Sequence, residues 1–265
     1  QGVGGYFVEN WGWEWFVKKF AQKSGIDLHS YKRPQMERRI NSFMRTIGVP
    51  NYAELIKLFD ENPEVHRRFV EHLTINVSEF FRNANHWEVL RNQIIPELIK
   101  RRTPLKIWSA GCSTGEEPYS LAIMMQEYFP GHVQRIWATD LDQVVLNKAK
   151  NGIYSAKAVQ GVPIHLLKKY FSHDSDYQVV ESIKQMVKFE RHDLLKDRFP
   201  GDFDLILFRN VVIYFTEEAK EKLFHKFAQA LAKDGILFIG STEQIFQARE
   251  LNLKSVATFF YQKTG

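Results

Sequence analysis

The chain has 265 residues, of which 44% are hydrophobic and 25% are charged, and its formal net charge is +5 at pH 7. This composition is typical of a soluble globular protein. No apolar run approaches the roughly 18 residues that a membrane-spanning helix needs, so the sequence predicts no membrane insertion, and no signal peptide is visible.

The single cysteine, Cys112, excludes an internal disulfide and is typical of a reducing compartment, which favours the cytoplasm. Its place between two glycines favours packing over a nucleophilic role, because no histidine stands beside it in sequence. No zinc-ligand spacing is present, so no metal site is expected. The modest basic excess favours an acidic partner, either a nucleic acid or an acidic protein surface.

Residues from about 11 to 84 lack the alternation of a strand and predict short helices. We expect an all-helical N-terminal domain over residues 10–85, followed by a linker helix over 86–103. The predicted helices begin at Trp15 and stop before Gly25, cover 32–47 and 53–59, and resume after Pro63.

The second of these helices carries an apolar face and a basic face. Met36, Ile40, Phe43 and Ile47 recur at helical spacing and predict the buried side. Only Glu37 balances the positive charges on the remaining sides. A solvated surface and a docking surface for an acidic partner both remain open. The candidate docking residues are Lys32, Arg38, Arg39 and Arg45.

From residue 104 onward, short apolar strands alternate with helices. This alternation predicts an α/β domain over 104–265 with a doubly wound, mostly parallel, Rossmann-like sheet. The last strand lacks a crossover helix, which favours an antiparallel direction. A hairpin near 177–180 predicts a small inserted β-subdomain over about 170–188. The predicted strands are 105–110, 134–139, 186–190, 203–208, 235–241 and 257–262, and the predicted helices are 116–129, 141–151 and 217–233.

The segment L-K-I-W-S-A-G-C-S-T-G-E-E-P-Y-S, over 105–120, predicts a strand, a glycine turn and a helix. This order brings backbone N–H groups and a positive helix end together, and Gly111 and Gly115 admit a close ligand. Glu116 and Glu117 stand where a phosphate loop needs a lysine and a hydroxyl, and one glycine of G-x-G-x-x-G is missing. The pattern therefore favours S-adenosylmethionine, which is cationic and has no phosphate. A purely structural strand–helix corner remains the alternative.

The second predicted strand of this domain ends in Asp140. In nucleotide-binding α/β units, an acid at this position accepts hydrogen bonds from ribose hydroxyls. The alternative is that Asp140 or Asp142 caps the following helix. Asp142 is the better cap candidate, which leaves Asp140 free for a ribose.

Two more strand ends supply candidate residues. Arg209, Asn210 and Tyr214 follow the fourth strand, at the edge where open α/β sheets bind ligands. Methyltransferases that act on nitrogen often carry Asn/Asp-Pro-Pro-Tyr at this edge. Because no Pro-Pro follows Asn210, a nitrogen atom is disfavoured as the methyl acceptor. Asp193 and Leu194 follow the third strand, where contact with an adenine edge and a simple turn are equally favoured.

The stretch L-T-I-N-V-S-E-F-F-R, over 73–82, places polar residues on alternate positions before two aromatic residues and Arg82. Spacing alone favours a simple structural role, in which Asn76 or Ser78 caps a helix that starts at Glu79.

Taken together, these pieces resemble the chemotaxis receptor methyltransferase family (CheR). The resemblance implies a protein-glutamate O-methyltransferase that uses S-adenosylmethionine, leaves S-adenosylhomocysteine, and acts on the cytoplasmic signalling domain of methyl-accepting chemotaxis receptors in sensory adaptation. The helical N-terminal domain and the inserted β-subdomain also match the family. The matching segments, in family order, are L-T-I-N-V-S-E-F-F-R (73–82), W-S-A-G-C-S-T-G-E-E-P-Y-S (108–120), A-T-D-L-D (138–142), F-R-N-V-V-I-Y-F (208–215) and L-F-I-G-S-T-E (237–243).

The same resemblance implies residue roles. Arg82 and Tyr214 are the candidates for orienting the substrate carboxylate, and a receptor rather than a nucleic acid is the expected partner. Two alternatives remain: a nucleic-acid methyltransferase, and a non-catalytic adaptor that senses S-adenosylmethionine. With Gly111 of the turn, the implied cofactor-binding residues are Asn76, Ser78, Arg82, one of Glu116 and Glu117, Asp140, Asp193, Leu194, Arg209 and Asn210.

Overall fold

The structure is a computed structural model that describes residues 5–74, 78–133, 135–209, 215–240, 245 and 247–265, with only the backbone of 5–11 and of 74. The chain divides into two compact units. The first unit comprises the described residues within Gln1–Ile75 and Tyr214–Lys220, and the second comprises those within Asn76–Ile213 and Glu221–Gly265.

The first unit is built from helices around a core of aromatic rings. Phe69 is fully buried, and its ring centroid lies 5.3 Å from that of Phe20 and 4.9 Å from that of Phe59. The described part of Tyr214–Lys220 also packs in this unit, because the ring of Phe215 stacks on that of Tyr31 with the centroids 4.8 Å apart. The helices are α1 (Gly5–Ser24), α2 (Arg33–Ile47), α3 (Tyr52–Glu61) and α4 (Pro63–Thr74).

The start of α1 differs from the prediction. The helix begins at Gly5 rather than at Trp15, because its buried side already includes Trp13 and no proline precedes that residue. The predicted end before Gly25 is correct, since Gly25 adopts a left-handed φ of 76° just after the helix. Where the helix begins could not be read from capping residues, because the segment carries no clear start signal.

The second unit combines a large sheet, a small sheet and the remaining helices. The linker predicted as one helix is interrupted by a π-helical turn at Leu90–Ile94. The helices are α5 (Ala84–Val89), α6 (Ile95–Arg101), α7 (Glu116–Tyr128), α8 (Gln143–Asn151), α9 (Ile164–Tyr170), α10 (Glu181–Lys184) and α11 (Glu217–Ala230), the last of which starts in the first unit. The strands are β1 (Ile107–Ala110), β2 (Ile136–Asp140), β3 (Ile153–Tyr154), β4 (Phe171–His173), β5 (Tyr177–Val179), β6 (Val187–Arg191), β7 (Phe203–Phe208), β8 (Leu231–Ile239), β9 (Leu253–Ala257) and β10 (Phe260–Lys263).

The large sheet has seven strands in the order β6-β2-β1-β7-β8-β10-β9. Strands β6, β2, β1, β7 and β8 are parallel, which confirms the predicted doubly wound arrangement. The chain adds strands on one side of β1 and then returns to the other side at β7. The carboxyl ends of β1 and β7 therefore form the topological switch point, where open α/β sheets bind ligands.

The end of the sheet is a hairpin that the sequence did not reveal. The single strand predicted over 257–262 is two strands, since Phe259 has a left-handed φ of 70° and turns the chain between β9 and β10. The antiparallel direction of the last strand is correct, because β10 pairs antiparallel with β8. In β9 only Leu253 is buried, so its sequence lacks the apolar alternation that marks a strand.

The small sheet has three antiparallel strands in the order β3-β5-β4. It starts at Ile153, upstream of the range 170–188 predicted for the inserted subdomain, because β3 has only two residues and gives no periodic signal. Among the helices that the structure describes, none has the length and apolarity that crossing a bilayer requires.

Candidate functional site

The glycine turn between β1 and α7 lies at the switch point of the large sheet. Gly111 and Gly115 have left-handed φ angles of 70° and 97°, and Ser113 adopts 51° without being glycine. The Cys112 N–H donates to the Thr139 carbonyl at 2.8 Å, which joins the turn to β2. Residues other than glycine rarely adopt this conformation, and those that do are often found at functional sites.

Gly115 is packed so closely that no side chain fits. A Cβ atom there would lie 2.9 Å from Tyr154 Oη, 3.1 Å from Ala149 Cβ and 3.2 Å from Tyr119 Cε2. The turn therefore rests directly on buried side chains of the second unit.

We expect Gly115→Ala to lower the free energy of unfolding by about 3 kcal/mol, because it adds left-handed strain and overpacking together. Gly131→Ala is the matched control, since Gly131 also has a left-handed φ, of 81°, but nothing lies within 4 Å of its added Cβ. That control should lose only about 1 kcal/mol, from strain alone. Urea denaturation measures both values, and equal losses would contradict close packing at Gly115.

Nine described residues line a cleft beside the turn, and none of them is a lysine. The lining includes two glutamates, two arginines and three residues of the turn. No three His, Cys, Asp or Glu side chains in the described part of the chain could together hold a metal ion. The lining residues are Ser78, Glu79, Arg82, Trp87, Gly111, Cys112, Ser113, Glu117 and Arg209.

The two acids at the start of α7 have different environments. Glu116 is buried and accepts hydrogen bonds from the hydroxyls of Thr114 and Ser78. Glu117 reaches the cleft, where its Oε1 accepts from Ser109 Oγ at 2.7 Å. Burial raises the pKa of both carboxyls, while Arg209 and Ser109 lower that of Glu117. Of the pair left open by the sequence, Glu117 is the one placed to meet a ligand.

Arg209 is a buried residue of the cleft lining that contacts several neighbouring groups. Its Nη2 donates to the Arg82 carbonyl at 2.8 Å, and its Nη1 lies 3.7 Å from Glu117 Oε2. The guanidinium carbon lies 4.6 Å from the ring centroid of Phe238. Among the described residues, its Nε has no hydrogen-bond partner. Burial lowers the pKa of Arg209 and Glu117 raises it, so each partner favours the charged form of the other.

The segment that carries Ser78 and Arg82 has a strained backbone and is hydrogen-bonded to α7. Phe81 and Asn83, on either side of Arg82, have left-handed φ angles of 53° and 61°. The Phe81 N–H donates to Ser120 Oγ at 2.9 Å. The predicted helix cap at Ser78 is wrong, because the chain turns here and α5 begins only at Ala84. Backbone strain of this kind beside a cleft indicates a binding or catalytic role for the segment rather than the start of a helix.

Asp140 is less available than the sequence suggested. Asp142 caps α8 as predicted, accepting the Val144 N–H at 2.9 Å. The carboxylate of Asp140 nevertheless accepts two backbone N–H groups, from Ser113 at 2.9 Å and from Asp142 at 3.1 Å. Burial raises the pKa of Asp140, and these two hydrogen bonds lower it. Each oxygen keeps a second lone pair, which can still accept a ribose hydroxyl.

The loop after β6 forms a closed turn. Asp193 is buried, and its Oδ1 accepts the Leu195 N–H at 2.9 Å. The Leu194 carbonyl accepts from Lys226 Nζ at 2.9 Å. The turn is therefore present, while neither Asp193 nor Leu194 belongs to the described lining of the cleft. A contact of this pair with an adenine edge stays a prediction.

Three predicted site residues, Asn76, Asn210 and Tyr214, lie outside the described residues.

Cys112 is buried, and burial raises the pKa of its thiol well above the usual value, as expected for a packed side chain. Ser120 lies at the end of the 105–120 segment, but its hydrogen bond to the Phe81 N–H could not be predicted, because the two residues are 39 positions apart in sequence.

The basic residues of α2 divide into two groups. Arg38 and Arg45 are exposed, whereas Lys32 is half-buried at the N-cap of the helix. Arg39 Nη1 donates to the carbonyls of His72 and Leu73, at 3.3 and 3.2 Å. Arg39 therefore stabilises the C-terminal end of α4, and its part in docking stays a prediction.

The sequence matches known proteins over nearly its whole length. Residues 76–260 match the family described as CheR methyltransferase, SAM binding domain, and residues 12–74 match CheR methyltransferase, all-alpha domain. A chemotaxis protein methyltransferase of Listeria innocua is 40% identical over 252 residues, covering 94% of this chain and 96% of that protein. Its counterpart from Borreliella burgdorferi is 35% identical, covering 92% and 91%. The one from Salmonella typhimurium is 31% identical, covering 91% and 87%. The chain belongs to the CheR methyltransferase family, and it is an S-adenosylmethionine-dependent methyltransferase.

Proposed function

We propose that this protein transfers the methyl group of S-adenosylmethionine to glutamate side chains in the cytoplasmic signalling domain of methyl-accepting chemotaxis receptors. The product would be a glutamate methyl ester. The observation that carries the proposal is the cleft at the switch point, where Glu117 and Arg82 face one opening beside the glycine turn. The names of the relatives, chemotaxis protein methyltransferases, support the choice of receptors.

The residues of the cleft suit a cationic nucleoside. Glu117 supplies a carboxylate whose ionised form is favoured by Arg209 and Ser109, and it stands where a phosphate-binding loop would need a hydroxyl. The tight turn from Gly111 to Gly115 brings the main chain against the ligand, and Asp140 stands behind it with lone pairs for a ribose. When bound, S-adenosylmethionine supplies a methyl group that is activated by the positively charged sulfur.

The protein needs no strong base for this reaction. A glutamate side chain has an ordinary pKa of about 4.3 and is ionised at pH 7, so its oxygen is already nucleophilic. Arg82 lines the cleft, and we assign its positive charge to orienting the incoming carboxylate. We assign Tyr214 as its partner in that task, on the basis of the family motif. Catalysis then comes mainly from positioning.

The test is to incubate the protein with methyl-labelled S-adenosylmethionine and receptor-containing membranes, and then to map base-labile methyl esters. Label on receptor glutamates supports the proposal. Label that enters added RNA or DNA instead would revive a nucleic-acid methyltransferase. Cofactor binding without transfer to any receptor fraction would favour the non-catalytic adaptor.

The basic face of α2 provides a separate prediction about substrate docking. We expect the double variant Arg38→Glu/Arg45→Glu to reduce receptor methylation at least 10-fold, because opposite charges guide encounter and register between acidic and basic surfaces. Binding of S-adenosylhomocysteine, measured by calorimetry, should change less than twofold. The matched control is Lys57→Glu/Arg68→Glu, which reverses two exposed charges on α3 and α4. Equal losses in the two double variants would show that net charge alone matters.

A further inference from the structure

Tyr154, in the first strand of the small sheet, touches the glycine turn directly. Its hydroxyl donates to the Thr114 carbonyl at 2.6 Å, one residue before Gly115. The side chain is buried, and burial raises the pKa of its hydroxyl well above the usual value, so it stays protonated and donates. The two residues are 40 positions apart in sequence, and Tyr154 lies outside every segment that matches the family motifs.

The same part of the chain also supports the segment before Arg82. The Phe80 ring is fully buried, with its centroid 4.8 Å from that of Tyr154 and 5.2 Å from that of Phe171. The Phe80 N–H donates to the Ala158 carbonyl at 3.0 Å. A Cβ on Gly161 would lie 2.7 Å from the Phe80 carbonyl oxygen, so the two backbones are in close contact. Both walls of the cleft therefore rest on residues in or next to the small sheet.

We infer that Tyr154 is a positioning residue for cofactor binding, whose hydroxyl holds the glycine turn in its binding conformation through the Thr114 carbonyl. This inference rests on the proposed function. The turn contains Ser113 in a left-handed conformation, which persists only where surrounding contacts hold it. Without the hydroxyl, the turn would sample other conformations, and the cofactor would have to select the competent one.

Tyr119 offers a matched control. Its hydroxyl donates to the Ala149 carbonyl at 2.7 Å, and its side chain is also fully buried. Ala149 lies in α8 and does not line the cleft. Tyr119→Phe and Tyr154→Phe therefore remove the same kind of buried hydrogen bond and keep both rings, but only the second removes a bond to the turn.

The experiment is calorimetric titration of the wild type and both variants with S-adenosylhomocysteine. We expect Tyr154→Phe to weaken binding by about 3- to 10-fold, as for the loss of one hydrogen bond, and Tyr119→Phe by less than twofold. Melting temperatures of the two variants should fall by similar amounts. In steady-state assays, KM for the cofactor should rise in Tyr154→Phe while kcat stays within twofold of the wild type.

Hydrogen exchange in the cofactor-free protein gives a second readout. Amides of residues 111–116 should exchange faster in Tyr154→Phe and at the wild-type rate in Tyr119→Phe. Unchanged affinity and exchange in Tyr154→Phe, with the wild type binding normally, would overturn the inference and leave the proposed function intact. A wild-type protein that does not bind S-adenosylhomocysteine would overturn both.

Discussion

Replacing Arg82 by alanine should lower methyl transfer by about 100-fold, the usual loss when one positioned charged or hydrogen-bonding group is removed from an active site. Arg82 lines the cleft, and it lies between Phe81 and Asn83, which both have left-handed backbones. The fold should persist, because it is the Arg82 carbonyl, not its side chain, that accepts from Arg209 and from Trp87 Nε1. Alanine keeps that carbonyl.

The measurement is kcat/KM with receptor-containing membranes, alongside a thermal melt. Arg135→Ala is the matched control, since Arg135 is an exposed arginine just before β2 that does not line the cleft. It should retain wild-type turnover. Near-normal turnover in Arg82→Ala would remove this residue from the mechanism.

Replacing Arg209 by methionine should lower the free energy of unfolding by about 3 kcal/mol, the lower end of the range for breaking a buried ion pair. The side chain of Arg209 is 1% exposed and that of Glu117 is 15% exposed, so solvent screens the pair little. The change leaves the Glu117 carboxylate buried without its cation. Cofactor affinity should fall as well, because removal of the Arg209 charge, which lowers the pKa of Glu117, raises that pKa and favours the neutral form.

The pH dependence of this loss has a defined sign. A carboxyl whose folded pKa lies above its unfolded value binds protons more readily when folded, so it destabilises the fold progressively as pH rises between the two values. The deficit of Arg209→Met relative to the wild type should therefore grow as the pH rises above about 4.3, the ordinary pKa of a glutamate. Urea titrations at several pH values measure it.

Glu117→Gln in the Arg209→Met background should recover much of the lost stability, because it removes the unpaired charge. A double-mutant cycle that shows no coupling between the two positions would contradict the claim that the Arg209–Glu117 ion pair stabilises the fold. The cycle should be run at pH 7, where the expected coupling is largest.

Features fixed by local sequence could be predicted for this chain. The strand, glycine turn and helix over 105–120 depend on neighbours within a few residues. The cap formed by Asp142 is likewise local, because its acceptor bonds a backbone N–H two residues away. The parallel core of the sheet followed from the regular alternation of strands and helices.

The partners that complete the site could not be predicted, because they are distant in sequence and meet only through tertiary packing. Arg209 bonds the Arg82 carbonyl across 127 residues. Ser113 occupies an oxygen of Asp140 that the sequence left free for a ligand, since capping signals describe only neighbours along the chain. Short or polar strands such as β3 and β9 were missed, because they carry too little apolar alternation to be recognised.

The central claim is that the cleft binds a cationic nucleoside without phosphate through the Glu117 carboxylate. The most direct measurement is parallel calorimetric titration of the wild type and Glu117→Gln, without receptor, with S-adenosylmethionine, whose sulfur is positively charged, and with NAD, which carries a pyrophosphate. The account predicts that the wild type binds S-adenosylmethionine, that Glu117→Gln weakens this binding, and that NAD does not bind. Binding of NAD in place of S-adenosylmethionine, strengthened by removal of the Glu117 charge, would contradict it.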